Sequence, residues 1–113
     1  MDQKKMTDGI RTFLEGLDQR FEGDDQDRTP ARVAAAWVED LVAGYATDPE
    51  QELSWTSAPS GCGPVLVRRI DFASVCVHHL LPFFGLAYVA YVPAQRLAGL
   101  SKIGRVIDAH ARR

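Results

Sequence analysis

The residues best equipped for chemistry sit in one short run, Cys76-Val77-His78-His79. A thiolate and an imidazole separated by two residues can both reach one zinc ion from a turn. The same spacing also suits an ordinary buried thiol, so on spacing alone both readings stand. A zinc site needs at least a third protein ligand, and Cys62, His110 and the carboxylates are the candidates, none at a diagnostic spacing. A second run, Gly99-Leu100-Ser101-Lys102 followed by Arg105, opens a helical pattern. Free N–H groups and the helix dipole attract phosphate at such a start, and Lys102 and Arg105, three apart, share one helix face. The alternative is a solvated basic turn, and Arg32, Arg68 and Arg69 taken singly read as surface residues.

The elements that must position these residues are legible from periodicity. Met6, Ile10, Phe13, Leu14, Leu17 and Phe21 recur at steps of three and four, which predicts an amphipathic helix ending near Gly23. The acidic stretch 22–27 has no apolar period and reads as a solvated loop. Thr29 and Pro30 form a cap and first-turn pair, opening a helix with Val33, Trp37, Leu41 and Tyr45 inward and Gly44 at its end. Residues 46–63, rich in Ser, Pro, Thr and Gly, read as a loop.

Val65 and Val67 share one parity and Ile70 and Phe72 the other, so this strand either bulges near Arg68-Arg69 or presents both faces to protein. Residues 83–92, apolar on both parities, predict a strand covered on both sides and ended by Pro93. A chain this short does not itself supply that cover. Ser101 then caps a last helix that turns Ile103, Val106, Ile107 and His110 inward.

Composition narrows the class. With 113 residues, 46% of them apolar and 25% charged, the chain is globular, neither disordered nor collagen-like. A domain of this size buries little more than about 60% of the surface its unfolded chain exposes, so partner subunits or a metal would add needed stability. Residues 1–75 carry 8 basic and 14 acidic groups, against 5 and 1 in residues 76–113. A local cationic region in an acidic chain suits an anionic small molecule and argues against nucleic acid as partner. Two cysteines are too few for a disulfide scaffold and fit a reducing compartment. No apolar leader is present and no window nears the roughly 18 apolar residues that span a bilayer. The expectation is a cytoplasmic chain with no membrane contact.

The order of these motifs resembles GTP cyclohydrolase I. The resemblance is carried by residues 28–45 (RTPARVAAAWVEDLVAGY) and 74–113, above all by His-His-Leu-Leu-Pro-Phe and Gly-Leu-Ser-Lys-Ile. It implies an α+β chain with an incomplete tunnelling fold (T-fold), in which amino-terminal helices precede an antiparallel β-hairpin and a helix. Residues 1–27 would form a helical extension and 28–113 a partial cyclohydrolase domain. It implies Zn2+ held by Cys76 and His79, His78 as the catalytic histidine, and a triphosphate held by Ser101, Lys102, Arg105 and, from an adjacent subunit, Arg32. The substrate would be GTP, converted with water to formate and 7,8-dihydroneopterin triphosphate, the first step towards folate or tetrahydrobiopterin. The assembly would be a homo-oligomeric ring, usually two stacked pentamers, which would supply the missing strand cover.

The residue types suit that chemistry. Zinc lowers the pKa of water so that it can attack C8 of the purine near neutral pH, and an imidazole can protonate the ring nitrogen as the bond opens. Two positions depart from the family pattern: Val77 replaces the glutamate of Cys-Glu-His-His, and Ala35 stands where some relatives carry a triphosphate-binding lysine. Beyond the position of Arg113 the family pattern continues with a Gln-Glu segment that clamps guanine and a hairpin with another zinc cysteine and a histidine. The expectation is therefore a truncated or split form completed by a complementary chain. A reading of another class is a non-catalytic binding or regulatory subunit of a T-fold ring, and a third is a redox or structural use of Cys76.

Overall fold

The computed structural model describes residues 1–17 and 25–113, which form two compact units, Met1–Val42 and Ala43–Arg113. In the first unit, helix α1 (Gln3–Gly16) starts where the Asp2 carboxylate accepts the Lys5 N–H at 2.9 Å, satisfying one of the orphan donors of the first turn. Met6, Ile10 and Leu14 lie half-buried along the stripe that packs on α2, whereas Phe13 and Leu17 are exposed. The helix ends at Gly16, short of the expected Gly23; Phe21 and Gly23 lie outside the described residues.

Helix α2 (Asp25–Ala36) starts earlier than the Thr29-Pro30 pair predicts, taking in the end of the stretch read as a loop. Pro30 is buried inside it and gives up one intrahelical hydrogen bond. Asp25 at the helix start suits the dipole, and two turns on Arg32 reaches back to it, Nη1 to Oδ1 at 3.3 Å. The helix then widens into a π-helical turn (Trp37–Leu41), with the Val42 N–H on the Trp37 carbonyl at 2.9 Å. Val33, Trp37 and Leu41 are half-buried as the stripe predicts, but Tyr45, beyond this turn, is exposed.

The second unit opens with a 3₁₀ turn (Ala43–Ala46) in which Gly44 is buried. A Cβ there would run into the carbonyl oxygens of Ala109 and Arg112, so only glycine lets this backbone approach. The segment expected to be a loop contains two elements. Helix α3 (Pro49–Glu52) is capped by Asp48, whose Oδ1 accepts the Glu50 N–H at 3.1 Å. Strand β1 (Trp55–Ser57) pairs antiparallel with β4 (Arg96–Ala98). Three-residue strands are too short for an alternation to show.

The larger sheet is an antiparallel hairpin of β2 (Val65–Val75) and β3 (Pro82–Tyr91). Its register shifts between Val67, opposite Val89, and Ile70, opposite Ala87, so Arg68 and Arg69 together face Tyr88. Of the two readings that the parity change left open this is the bulge, and Arg69 absorbs it at φ 58°. On one face Phe72 stands edge-on to Phe83 and lies over Gly85, where a Cβ would sit 2.6 Å from the ring. Helix α4 (Leu100–Ala111) packs against β2 and buries Ile103 and Ala109. The other face of β3 leaves Phe84 80% and Tyr88 59% exposed, so a strand apolar on both sides is covered on one.

Two expectations for α4 are corrected. Its cap is Gly99, with no side-chain bond, and Ser101 sits inside the first turn, because the backbone arrives extended from β4 and turns helical at Leu100, two residues before a Ser101 cap would start the helix. His110 is exposed, while Ile103, Val106 and Ile107 turn inward as expected. The result is an α+β chain, helices first and then an antiparallel hairpin and a helix, consistent with an incomplete tunnelling fold. Among the described residues no helix is long and apolar enough to cross a membrane.

Candidate functional site

The turn between β2 and β3 is closed by backbone bonds alone. The Leu80 N–H donates to the Cys76 carbonyl at 2.7 Å and the Cys76 N–H to the Leu81 carbonyl at 2.9 Å, with Leu80 left-handed at φ 55°. Closing the loop this way pushes residues 77–79 outward: Cys76 is half-buried, and His78 and His79 are exposed. Cys76 Sγ lies 3.6 Å from His79 Nδ1 and 3.9 Å from His78 Nδ1, and the two imidazole rings are 6.2 Å apart.

The first distance can be tested against a metal. Zinc–sulfur and zinc–nitrogen bonds of about 2.3 and 2.0 Å at a tetrahedral angle separate the donor atoms by about 3.5 Å. Cys76 and His79 thus stand one tetrahedral edge apart. The edge lacks its further vertices, because among the described residues no group of three or more His, Cys, Asp or Glu converges. Cys62 and His110, the candidate third ligands, are not brought to it; Cys62 is a half-buried free thiol and His110 lies exposed at the far end of α4.

The cationic residues gather at the other end of α4. Gly99 is held by its N–H on the Ser54 carbonyl at 3.0 Å, and the first turn closes with the Lys102 N–H on the Gly99 carbonyl at 2.9 Å. That leaves the amides of Leu100 and Ser101 without an intrahelical acceptor, beside the exposed Ser101 hydroxyl and the half-buried Lys102. The Lys102 stem lies over Gly99, where an added Cβ would be 3.1 Å from Lys102 Cγ. Arg105, one turn on, points its guanidinium at Glu52 of α3, Nη1 to Oε2 at 3.7 Å.

Sequence reasoning missed this carboxylate, since nothing in the segment read as a loop set it beside α4. Glu52 and Arg105, with Arg112 and Asp108 paired at 2.8 Å, line a cleft of about 280 Å³ in which two cations are balanced by two carboxylates. An anion is better served at the helix start by the charge of Lys102, which has no carboxylate partner among the described residues. Arg32 belongs to the amino-terminal unit, and Arg68 and Arg69 are exposed on the bulge. The structure therefore joins Cys76, His78 and His79 in one turn, and Ser101, Lys102 and Arg105 on one helix.

Comparison with known proteins gives these two clusters a setting. The family described as GTP cyclohydrolase I matches residues 6–113. GTP cyclohydrolase 1 of Gloeobacter violaceus is 43% identical over 109 residues, covering 96% of this chain and 50% of that protein. GTP cyclohydrolase 1 of Chlorobaculum tepidum is 44% identical over 109 residues, covering 96% and 48%. The protein of that name in Listeria monocytogenes serotype 4b is 40% identical over 114 residues, covering 100% and 60%. The chain spans about half the length of the curated relatives it matches.

Proposed function

Because the chain belongs to the GTP cyclohydrolase I family, we propose that it carries the amino-terminal and central part of an enzyme that converts GTP and water to formate and 7,8-dihydroneopterin triphosphate. Cys76 and His79 supply two of the donors for zinc, and the remainder lie in the part of the family pattern that follows the position of Arg113. Zinc bound there would act as a Lewis acid towards the hydrolytic water. His78, exposed beside the pair, exchanges a proton with the purine ring nitrogen as the imidazole ring opens. Ser101, Lys102 and Arg105 hold the triphosphate at the start of α4, where amide dipoles and a lysine charge add. Arg32 approaches the same triphosphate from a neighbouring copy in a homo-oligomeric ring, which also covers the exposed face of β3.

The observation that most supports this reading is the Cys76–His79 separation of 3.6 Å, which matches a zinc edge without rearrangement. Mixing the chain with the carboxy-terminal half of a full-length relative, then adding zinc and GTP, tests it through formate release and pterin fluorescence. Turnover should be absent or low for either piece alone and rise in the mixture. A stable mixed assembly with no turnover would instead favour a non-catalytic subunit, and no association at all would remove the proposal's basis.

A further inference from the structure

Strand β4 leads directly into the helix start that carries Ser101 and Lys102, so whatever fixes β4 fixes those residues. In the β1–β4 ladder the Gly99 N–H bonds the Ser54 carbonyl and the Ala58 N–H bonds the Gln95 carbonyl, each at 3.0 Å. Antiparallel pairs alternate between bonded and non-bonded, so Trp55–Ala98, the next pair in register, is a non-hydrogen-bonded pair. The Ala98 N–H therefore points away from β1, on the open edge of a two-stranded sheet. A part-buried amide there needs another acceptor, and it has one: the hydroxyl of Tyr91 accepts the Ala98 N–H at 3.0 Å.

Tyr91 is the last residue of β3, set in the hairpin opposite Val65. Its phenol bridges from the hairpin to the small sheet. Ala98 is thereby gripped from one side and Gly99 from the other, by the Ser54 carbonyl. The Lys102 stem rests on Gly99, so a shift of this backbone moves the lysine with it.

We propose that Tyr91 is a positioning residue for anion binding at the start of α4: by holding the Ala98 amide it sets the angle at which Ser101 and Lys102 meet phosphate oxygens. The role rests on the proposed triphosphate site. It adds a residue that touches no ligand and acts through the backbone. Tyr91→Phe keeps the ring and its packing and removes only the acceptor.

The test titrates the full chain with inorganic triphosphate at low salt by calorimetry, comparing wild type, Lys102→Ala and Tyr91→Phe. Lys102→Ala should weaken binding about tenfold or more, the loss of a charge-assisted contact. Tyr91→Phe should weaken it about three- to tenfold, the loss of one well-placed hydrogen bond, and should speed amide exchange at Ala98. A tyrosine that served stability alone would lower Tm and leave the affinity of the folded chain unchanged. Wild-type affinity in folded Tyr91→Phe, with Lys102→Ala weakened, overturns the positioning role and spares the site. If triphosphate ignores the wild-type chain, or Lys102→Ala binds as wild type does, the site itself fails and the role with it. Should Phe at 91 prevent folding, amide exchange at Ala98 in the wild-type chain reads the same coupling: saturating triphosphate should slow it, and an unchanged rate overturns the role.

Discussion

The zinc-type turn and the start of α4 are built by different means. The turn at Cys76–Leu81 is closed by its own residues, two backbone bonds between the ends of adjacent strands. The start of α4 is held by distant groups: the Ser54 carbonyl, the Tyr91 hydroxyl and, at Arg105, the Glu52 carboxylate. A locally closed turn keeps its donor spacing under many sequence changes, whereas the helix start transmits disturbance from three other segments. The first cluster has two donors at a zinc-like separation and no third among the described residues, and the second gathers its cations on one helix and depends on remote supports.

That contrast can be broken at several points. The largest effect is expected at Cys76→Ala, which should abolish zinc retention in the assembled enzyme while leaving the secondary structure seen by circular dichroism intact; stoichiometric zinc in the variant would refute the ligand assignment. Next, Gly44→Ala should destabilise the fold by about 2–3 kcal/mol, because the methyl group meets carbonyl oxygens at the end of α4 and a packed backbone must move. Denaturant melts check this, and an unchanged midpoint would mean that the approach is not maintained. Lys102→Ala should raise the KM of the assembled enzyme for GTP about tenfold with kcat little changed, and an unaltered KM would place Lys102 in solvent.

The smallest effect is expected at Glu52→Gln. Its partner Arg105 is largely exposed, so the pair contributes well under about 1 kcal/mol to stability. Removing the carboxylate should nonetheless tighten triphosphate binding about two- to threefold by freeing the guanidinium and lifting a repulsion. Weaker binding would show that Glu52 orients Arg105 instead of competing for it.

Much of this arrangement was readable in the chain. The parity change between Val67 and Ile70 can only be accommodated by a bulge or a doubly covered strand, and the register shift at Arg68–Arg69 is that bulge. The unbroken apolar run after Pro82 signalled a strand needing cover on two sides, and one side is bare here. What escaped depends on contacts far apart in sequence. Asp48-Pro49 is a good helix start, but the surrounding Ser, Pro and Gly masked a helix of four residues. Strand β1 exists because β4 lies beside it, a pairing that no local pattern announces. Ser101 looked like a cap since its residue type favours one, yet the chain turns helical at Leu100 because Gly99 is fixed to Ser54. In the candidate site, spacing left Cys76 and His79 open between a metal pair and an ordinary thiol, and only the family resemblance chose between them, whereas nothing in the sequence pointed to Glu52 or Tyr91.

The central claim is that the Cys76–His79 edge is a zinc half-site, correct in span and incomplete in ligands. Equilibrium competition with a zinc chelator, run on the purified chain and on its assembly with a complementary carboxy-terminal polypeptide, measures this directly. Zinc should be weakly held and readily stripped in the chain alone, and one ion per chain should be tightly held in the assembly. Equally tight one-to-one binding by the chain alone, or none in an active assembly, would contradict it.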